Sequence, residues 1–143
     1  MLRERLYSSA KHRASTYSRA KRGDLQTTQI KIAEASSKID AARLIMRSTC
    51  IEAMAQARRQ HYPVIAAKTK MRRDGAFSVN LCTEAASLLF SASGARGLFT
   101  TGVLQRQFRD AHAINSHLAF NFDAAGTNYG RVALGLPSEN LTL

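Results

Sequence analysis

The sequence predicts an all-α fold, an up-and-down four-helix bundle with a short extra C-terminal helix. Three observations carry that prediction. Apolar residues recur at steps of three, four and seven along most of the chain, no stretch alternates with a period of two for long enough to build a sheet, and the first three breaks fall at segments bearing Gly or Pro. At 143 residues with 45% hydrophobic content, the chain has the size of one domain able to bury a core.

The first predicted helix, about 2–19, places Leu6, Ala10, Arg13 and Tyr17 at steps of four and three, so one face begins apolar and ends in a guanidinium and a phenol. "KRGDLQ" breaks it, with Gly23 as the stop and Asp24 as the next N-cap. The second helix, about 25–60, carries the series Leu25, Ile32, Ile39, Met46 and Ala53 with Ala35 and Ala42 between them. A second stripe, Ile30, Ala33, Ser37, Ala41, Leu44 and Ile51, adjoins it. A helix with two such faces, about 50 Å long, is expected to be the surrounded, central member of the bundle. "HYP" ends it at Pro63. The third helix, about 64–91, runs through Asp74-Gly75, with Gly75 absorbed or marking a close contact, and resumes with Phe77, Leu81, Cys82, Ala85, Leu88 and Leu89. After "SASGARGLF" a fourth helix is predicted over about 101–117 and a short last one over about 124–134, followed by a terminal strap from Pro137.

The formal charge of +11 is uneven: 17 Lys/Arg against 6 Asp/Glu up to Asp74, and 4 against 4 beyond it. An excess of this size raises the question of phosphate-bearing partners. The basic residues are spread over three predicted helices, with no aromatic interleaving and no helix-turn-helix or zinc-finger spacing, so nucleic acid is not the expected partner. Docking onto acidic protein surface, or an anionic cofactor, accounts for the charge instead. Cys50 and Cys82 lie far apart without companion ligands and are expected to be buried free thiols. His112 and His117 are five residues apart, which on a helix turns the rings about 140° from each other, so no metal site is expected. No apolar run reaches the ~20 residues of a membrane span, and "MLRERLYSSAKHR" lacks the apolar stretch of a secretory signal. A cytoplasmic location is expected.

The tail "RDAHAINSHLAFNFDAAGTNYGRVALGL" is the chemically dense stretch. With Asp110, Ile114 and His117 at i, i+4 and i+7, the helical reading puts all three on one face. His117 is the candidate catalytic group, because an imidazole with an ordinary pKa of about 6.5 supplies a proton or a hydrogen bond near neutrality. A satisfied buried histidine is the plainer alternative. Arg109 and Asp110 read as a structural charge clamp, and His112 as a surface or subunit-contact residue. Asn121, Thr127 and Asn128 either line a pocket or cap the last helix. Arg13 and Tyr17, one turn apart, suit a phosphate, the first by a charged bidentate contact and the second by a phenolic hydrogen bond.

"HRASTYSRAKRGDLQTTQIKIAEASSKIDAARLIM" resembles the start of the C-terminal helical domain of the acyl-CoA dehydrogenase fold, where a glycine turn leads into a long helix opening with two glutamines, here Gln26 and Gln29, and running through Ala33 to Ala41-Ala42-Arg43. The tail is similar to one branch, the oxygenase components of two-component flavin-dependent monooxygenases, whose Arg-Asp followed by a histidine seven residues after the Asp is met by Arg109, Asp110 and His117. A dehydrogenase of this fold carries a glutamate base before a Gly-Thr pair; here Ala124-Ala125 precede Gly126-Thr127.

The resemblance implies that residues 1–143 form the C-terminal bundle, roughly the last third, of a longer enzyme with an N-terminal helical domain and a β-barrel ahead of it. It implies reduced FMN from a separate flavin reductase, molecular oxygen as co-substrate, a flavin hydroperoxide as the oxygen donor, and a phenol such as p-hydroxyphenylacetate as substrate. It also implies a homotetramer with the bundles at its core, His117 at the flavin and substrate pocket, and Arg13, Tyr17, Thr127 and Asn128 as cofactor contacts. The alternatives are an acyl-CoA dehydrogenase-like flavoenzyme domain and a non-enzymatic basic assembly module.

Overall fold

The computed structural model describes residues 22–99 and 102–139, and these are helical as expected. After a 3-10 turn at Arg22–Asp24 come α1 (Gln26–Arg58), α2 (Ile65–Ser93), a 3-10 turn at Gly94–Leu98, α3 (Val103–Asn115), a 3-10 turn at Leu118–Phe120, and α4 (Phe122–Ala133). The predicted first helix, with Arg13 and Tyr17, lies outside the described residues.

Small side chains set how α1 and α2 meet. Ala35 and Ala42 of α1 and Thr69, Ala76, Ser78 and Ala85 of α2 are buried, so the two backbones approach closely. The Ser78 hydroxyl sits 3.5 Å from the Ala42 carbonyl oxygen while it donates to the Asp74 carbonyl at 2.7 Å. Lys38 pairs with Glu84, Thr49 with Asp74, and Glu52 with Lys70. That order is antiparallel, folded about the His61–Val64 connection. Ile32, Ile39, Leu88 and Leu104 pack against the centre formed by Ala35, Ala85 and Leu89.

Two correspondences run the opposite way to chain order on α2 again. Phe90 stacks on Phe108 of α3 at 4.4 Å, and Phe77 meets Phe122 of α4 at 5.5 Å. Thus α3 and α4 lie along α2 one after the other, as a single antiparallel path broken at Ser116–Asn121. Among the described residues this makes α2, not α1, the central member: α1, α3 and α4 all pack against it. Among the described elements the expectation of a surrounded α1 is corrected, and its second stripe is exposed at Ile30, Leu44 and Ile51.

The helix ends carry their own chemistry. The Asp24 side chain makes no cap; Leu25 occupies the N-cap position of α1 without a side-chain hydrogen bond. At the other end Gln60 takes the left-handed region, φ 53°, with Gln60 N–H donating to Ala57 and His61 N–H to Gln56. After α4 the same pair of bonds forms around Gly135, φ 78°, where glycine meets no Cβ penalty. Gly75 is absorbed within α2. Cys50 and Cys82 are free but exposed, not buried as expected, because the cores of α1 and α2 are filled by Ala, Thr and Ser instead.

Candidate active site at the break between α3 and α4

Helix α3 stops because the segment Asn115–His117 offers the backbone other partners. The Ser116 hydroxyl donates to the His112 carbonyl at 2.9 Å, satisfying an acceptor of the last turn. His117 then takes an extended conformation, φ −74° and ψ 135°, outside the helix. The helical reading of 101–117 is therefore corrected: Asp110, Ile114 and His117 do not share a helix face. Asp110 instead faces Arg106 at 3.6 Å, both side chains being exposed, so the expected Arg109–Asp110 clamp is replaced by a surface pair worth little.

His117 caps the following 3-10 turn. Its Nδ1 accepts a hydrogen bond from the Ala119 N–H at 3.2 Å, and its carbonyl accepts from Phe120 N–H at 2.9 Å. An Nδ1 that accepts carries no proton, so the neutral ring holds its proton on Nε2 and presents Nε2–H as a donor. The residue is exposed, with the Phe120 ring 6.2 Å away. Four residues on, the Asn121 side chain accepts from Ala124 N–H at 3.0 Å and starts α4, with Asp123 in its first turn. Two side-chain caps in succession thus give the imidazole a defined perch midway along α2.

Of the other predicted residues, Arg13 and Tyr17 lie outside the described residues, and Thr127 and Asn128 stand within α4. Asn128 is 6% exposed, and its carbonyl oxygen accepts from the Ser138 hydroxyl at 3.0 Å and the Glu139 N–H at 3.2 Å. It ties down the C-terminal strap, which Arg131 also holds through the Pro137 carbonyl and the Glu139 carboxylate. Thr127 is exposed within α4, and neither Thr127 nor Asn128 is a helix cap. His112 is exposed as expected, its ring against Phe108 and its Nε2 3.1 Å from the Ser87 hydroxyl. Among the described residues there is no group of three or more His, Cys, Asp or Glu placed to hold a metal ion.

Sequence reasoning missed the polar cluster that holds α4 and α1 on α2. Asp74 is 7% exposed and accepts from Lys70 at 3.2 Å, Arg73 at 2.9 Å and the Thr49 hydroxyl at 3.3 Å. Lys70 also reaches Glu52 at 2.9 Å, and the Arg73 guanidinium lies 4.1 Å over the Tyr129 ring. Burial alone would push the Asp74 carboxyl up; the hydrogen bonds and charges of Arg73 and Lys70 outweigh it and hold it below the usual carboxylate range. The hydrogen bond to Glu52, opposed by burial and aided by Asp74, holds the Lys70 ammonium above its usual value. The visible signal was Lys70 and Asp74 at i and i+4.

The fold and this tail match known proteins. The family model described as acyl-CoA dehydrogenase, C-terminal domain, matches residues 3–122, and the chain belongs to that family. The oxygenase component of an FADH2-dependent resorcinol hydroxylase from Rhizobium sp. (strain MTP-10005) is 33% identical over 117 residues, 79% of this chain and 29% of that protein. The oxygenase component of p-hydroxyphenylacetate 3-hydroxylase from Acinetobacter baumannii is 28% identical over 129 residues, 90% of this chain and 31% of that protein. The crystal structure of 3-HSA hydroxylase from Rhodococcus sp. RHA1 superposes with a TM-score of 0.83 at 27% identity, over 98% of this chain and 35% of that one. The chain spans about a third of the length of these relatives. No described helix is long and apolar enough to cross a membrane.

Proposed function

We propose that the chain is the C-terminal helical bundle of the oxygenase component of a two-component, reduced-flavin-dependent monooxygenase, a longer protein with an N-terminal helical domain and a β-barrel ahead of residues 1–143. It works in the cytoplasm as a homotetramer, takes reduced FMN from a separate reductase, and hydroxylates a phenol such as p-hydroxyphenylacetate at the ortho position. The observation that carries the reading is that His117 is exposed with its Nδ1 engaged by the Ala119 N–H, which leaves Nε2 as the ring's donor, in a chain whose relatives bear the names of flavin-dependent hydroxylase oxygenase components.

The donor set suits a reduced flavin and its substrate: an exposed imidazole whose Nδ1 accepts from the Ala119 N–H and whose Nε2 is left to donate, on a loop whose Asn121 side chain caps α4. When bound, the flavin supplies the activation of molecular oxygen that no side chain provides. His117 holds a proton at Nε2 and donates it as a hydrogen bond to oxygen atoms of the bound species; the Ala119 N–H fixes the ring's orientation. Arg13 and Tyr17 hold the FMN phosphate, with Thr127 and the amide nitrogen of Asn128 as further contacts. Exclusion of water belongs to the other domains, since this loop is open in the isolated chain.

Anaerobic titration of the complete oxygenase with reduced FMN, followed by oxygen and the phenol, tests the reading. Saturable flavin binding and ortho-hydroxylated product are expected, with binding several-fold weaker in Arg13→Ala. Absence of reduced-flavin binding would remove the proposal.

A further inference from the structure

Phenylalanine rings hold the helices together in pairs, Phe77 with Phe122 and Phe90 with Phe108. Phe120 has a different neighbour. Its ring lies 6.2 Å from the His117 ring, tilted by 53°, and among the described residues no other aromatic ring packs on it. The local backbone sets that pairing. His117 caps the 3-10 turn Leu118–Phe120, its carbonyl accepts the Phe120 N–H at 2.9 Å, and residues three apart in such a turn stand over one another. Phe120 is half-buried beside an exposed imidazole. The segment Ser116–Asn121 carries no Lys, Arg, Asp or Glu, and the apolar side chains of Ile114 and Leu118 are 51% and 79% exposed. What it offers a ligand is therefore one hydrogen-bond donor with an aromatic ring beside it and apolar surface around it. A ring that bears a hydroxyl answers both groups: its oxygen takes the Nε2–H at about 3 Å, and aromatic rings attract one another at centroid separations of about 4.5–7 Å.

We infer that Phe120 is the ring-recognising residue of the His117 site, packing against the aromatic ring of the substrate and leaving the ring's other substituents to the rest of the enzyme. The inference rests on the reading of His117 given above and adds the side chain that selects an aromatic ring. In the complete oxygenase, with reductase-supplied flavin and oxygen, p-hydroxyphenylacetate and resorcinol are the probes. Phe120→Leu keeps apolar bulk and removes the ring. It is expected to raise KM for both probes about two- to ten-fold, the worth of an aromatic pair beyond its area, with reduced-flavin affinity unchanged. Phe120→Tyr, which keeps a ring, is expected to stay near the wild-type KM. Product per flavin oxidised should fall in Phe120→Leu at low phenol and recover at saturating phenol, which a merely loosened turn would not give. With the wild type hydroxylating the probes, an unchanged KM in Phe120→Leu, or an equal rise in Phe120→Tyr, overturns the inference and leaves the reading of His117 in place. A rise confined to one probe also overturns it, because the ring is common to both. A wild type that hydroxylates neither probe removes the reading of the site and the inference with it.

Discussion

The guanidinium of Arg73 is shared between two helices: it donates to the Asp74 carboxylate at 2.9 Å on α2 and lies 4.1 Å over the Tyr129 ring on α4. Through Asp74 the contact extends to Thr49 of α1. One carboxylate therefore ties both flanking helices to the central one.

Asp74→Asn leaves Lys70 and Arg73 without their shared anion. With a buried acceptor but partners partly open to water, the loss is expected near the lower end for broken buried pairs, about 3 kcal/mol, by denaturant titration. The pH dependence has a definite sign. The folded pKa of Asp74 is depressed, so its contribution is present above the unfolded value of about 3.9 and is lost as pH falls through the lower folded value. Wild type should lose stability below about pH 5, more steeply than Asp74→Asn. Equal slopes for the two would separate Asp74 from the acid response.

Gln60→Gly is expected to stabilise the chain. Gln60 sits at φ 53° in the turn that Gly135 occupies at the end of α4. Relief of the left-handed strain is worth about 1 kcal/mol. Thermal melts of the two proteins measure it, and an unchanged or lower Tm would contradict the assignment.

Asn128→Ala frees the strap. Its buried carbonyl oxygen accepts two hydrogen bonds from Ser138 and Glu139, so a cost of about 1–3 kcal/mol is expected. Carboxypeptidase should trim the variant's C-terminus faster than the wild type's while the helical signal stays intact.

The sequence announced the helices and much of the α1–α2 contact: the series through Ile32 and Ile39 packs on the core, and Ala35 and Ala42 are buried at its centre. Periodicity marks which residues share a face but not what that face meets, so α1's two stripes suggested a surrounded helix where, among the described elements, α2 is the centre. His117 was placed on a helix that ends before it. Apolar periodicity ends at Ile114, while Asn115, Ser116 and His117 bring side chains that compete for the backbone, a signal that marks the break without fixing its geometry. Asp74 shows the limit most clearly: Lys70 is legible one turn away, whereas Thr49 is brought to it only by the fold.

The role of His117 is tested most directly by the fate of oxygen. With reductase-supplied flavin, oxygen and the phenol, the complete wild-type oxygenase should couple flavin oxidation to hydroxylated product. His117→Ala should lower product per flavin oxidised about ten-fold or more, the scale of a lost acid–base group, with hydrogen peroxide rising to match and reduced-flavin affinity little changed. Full coupling in His117→Ala would contradict the role assigned to that ring.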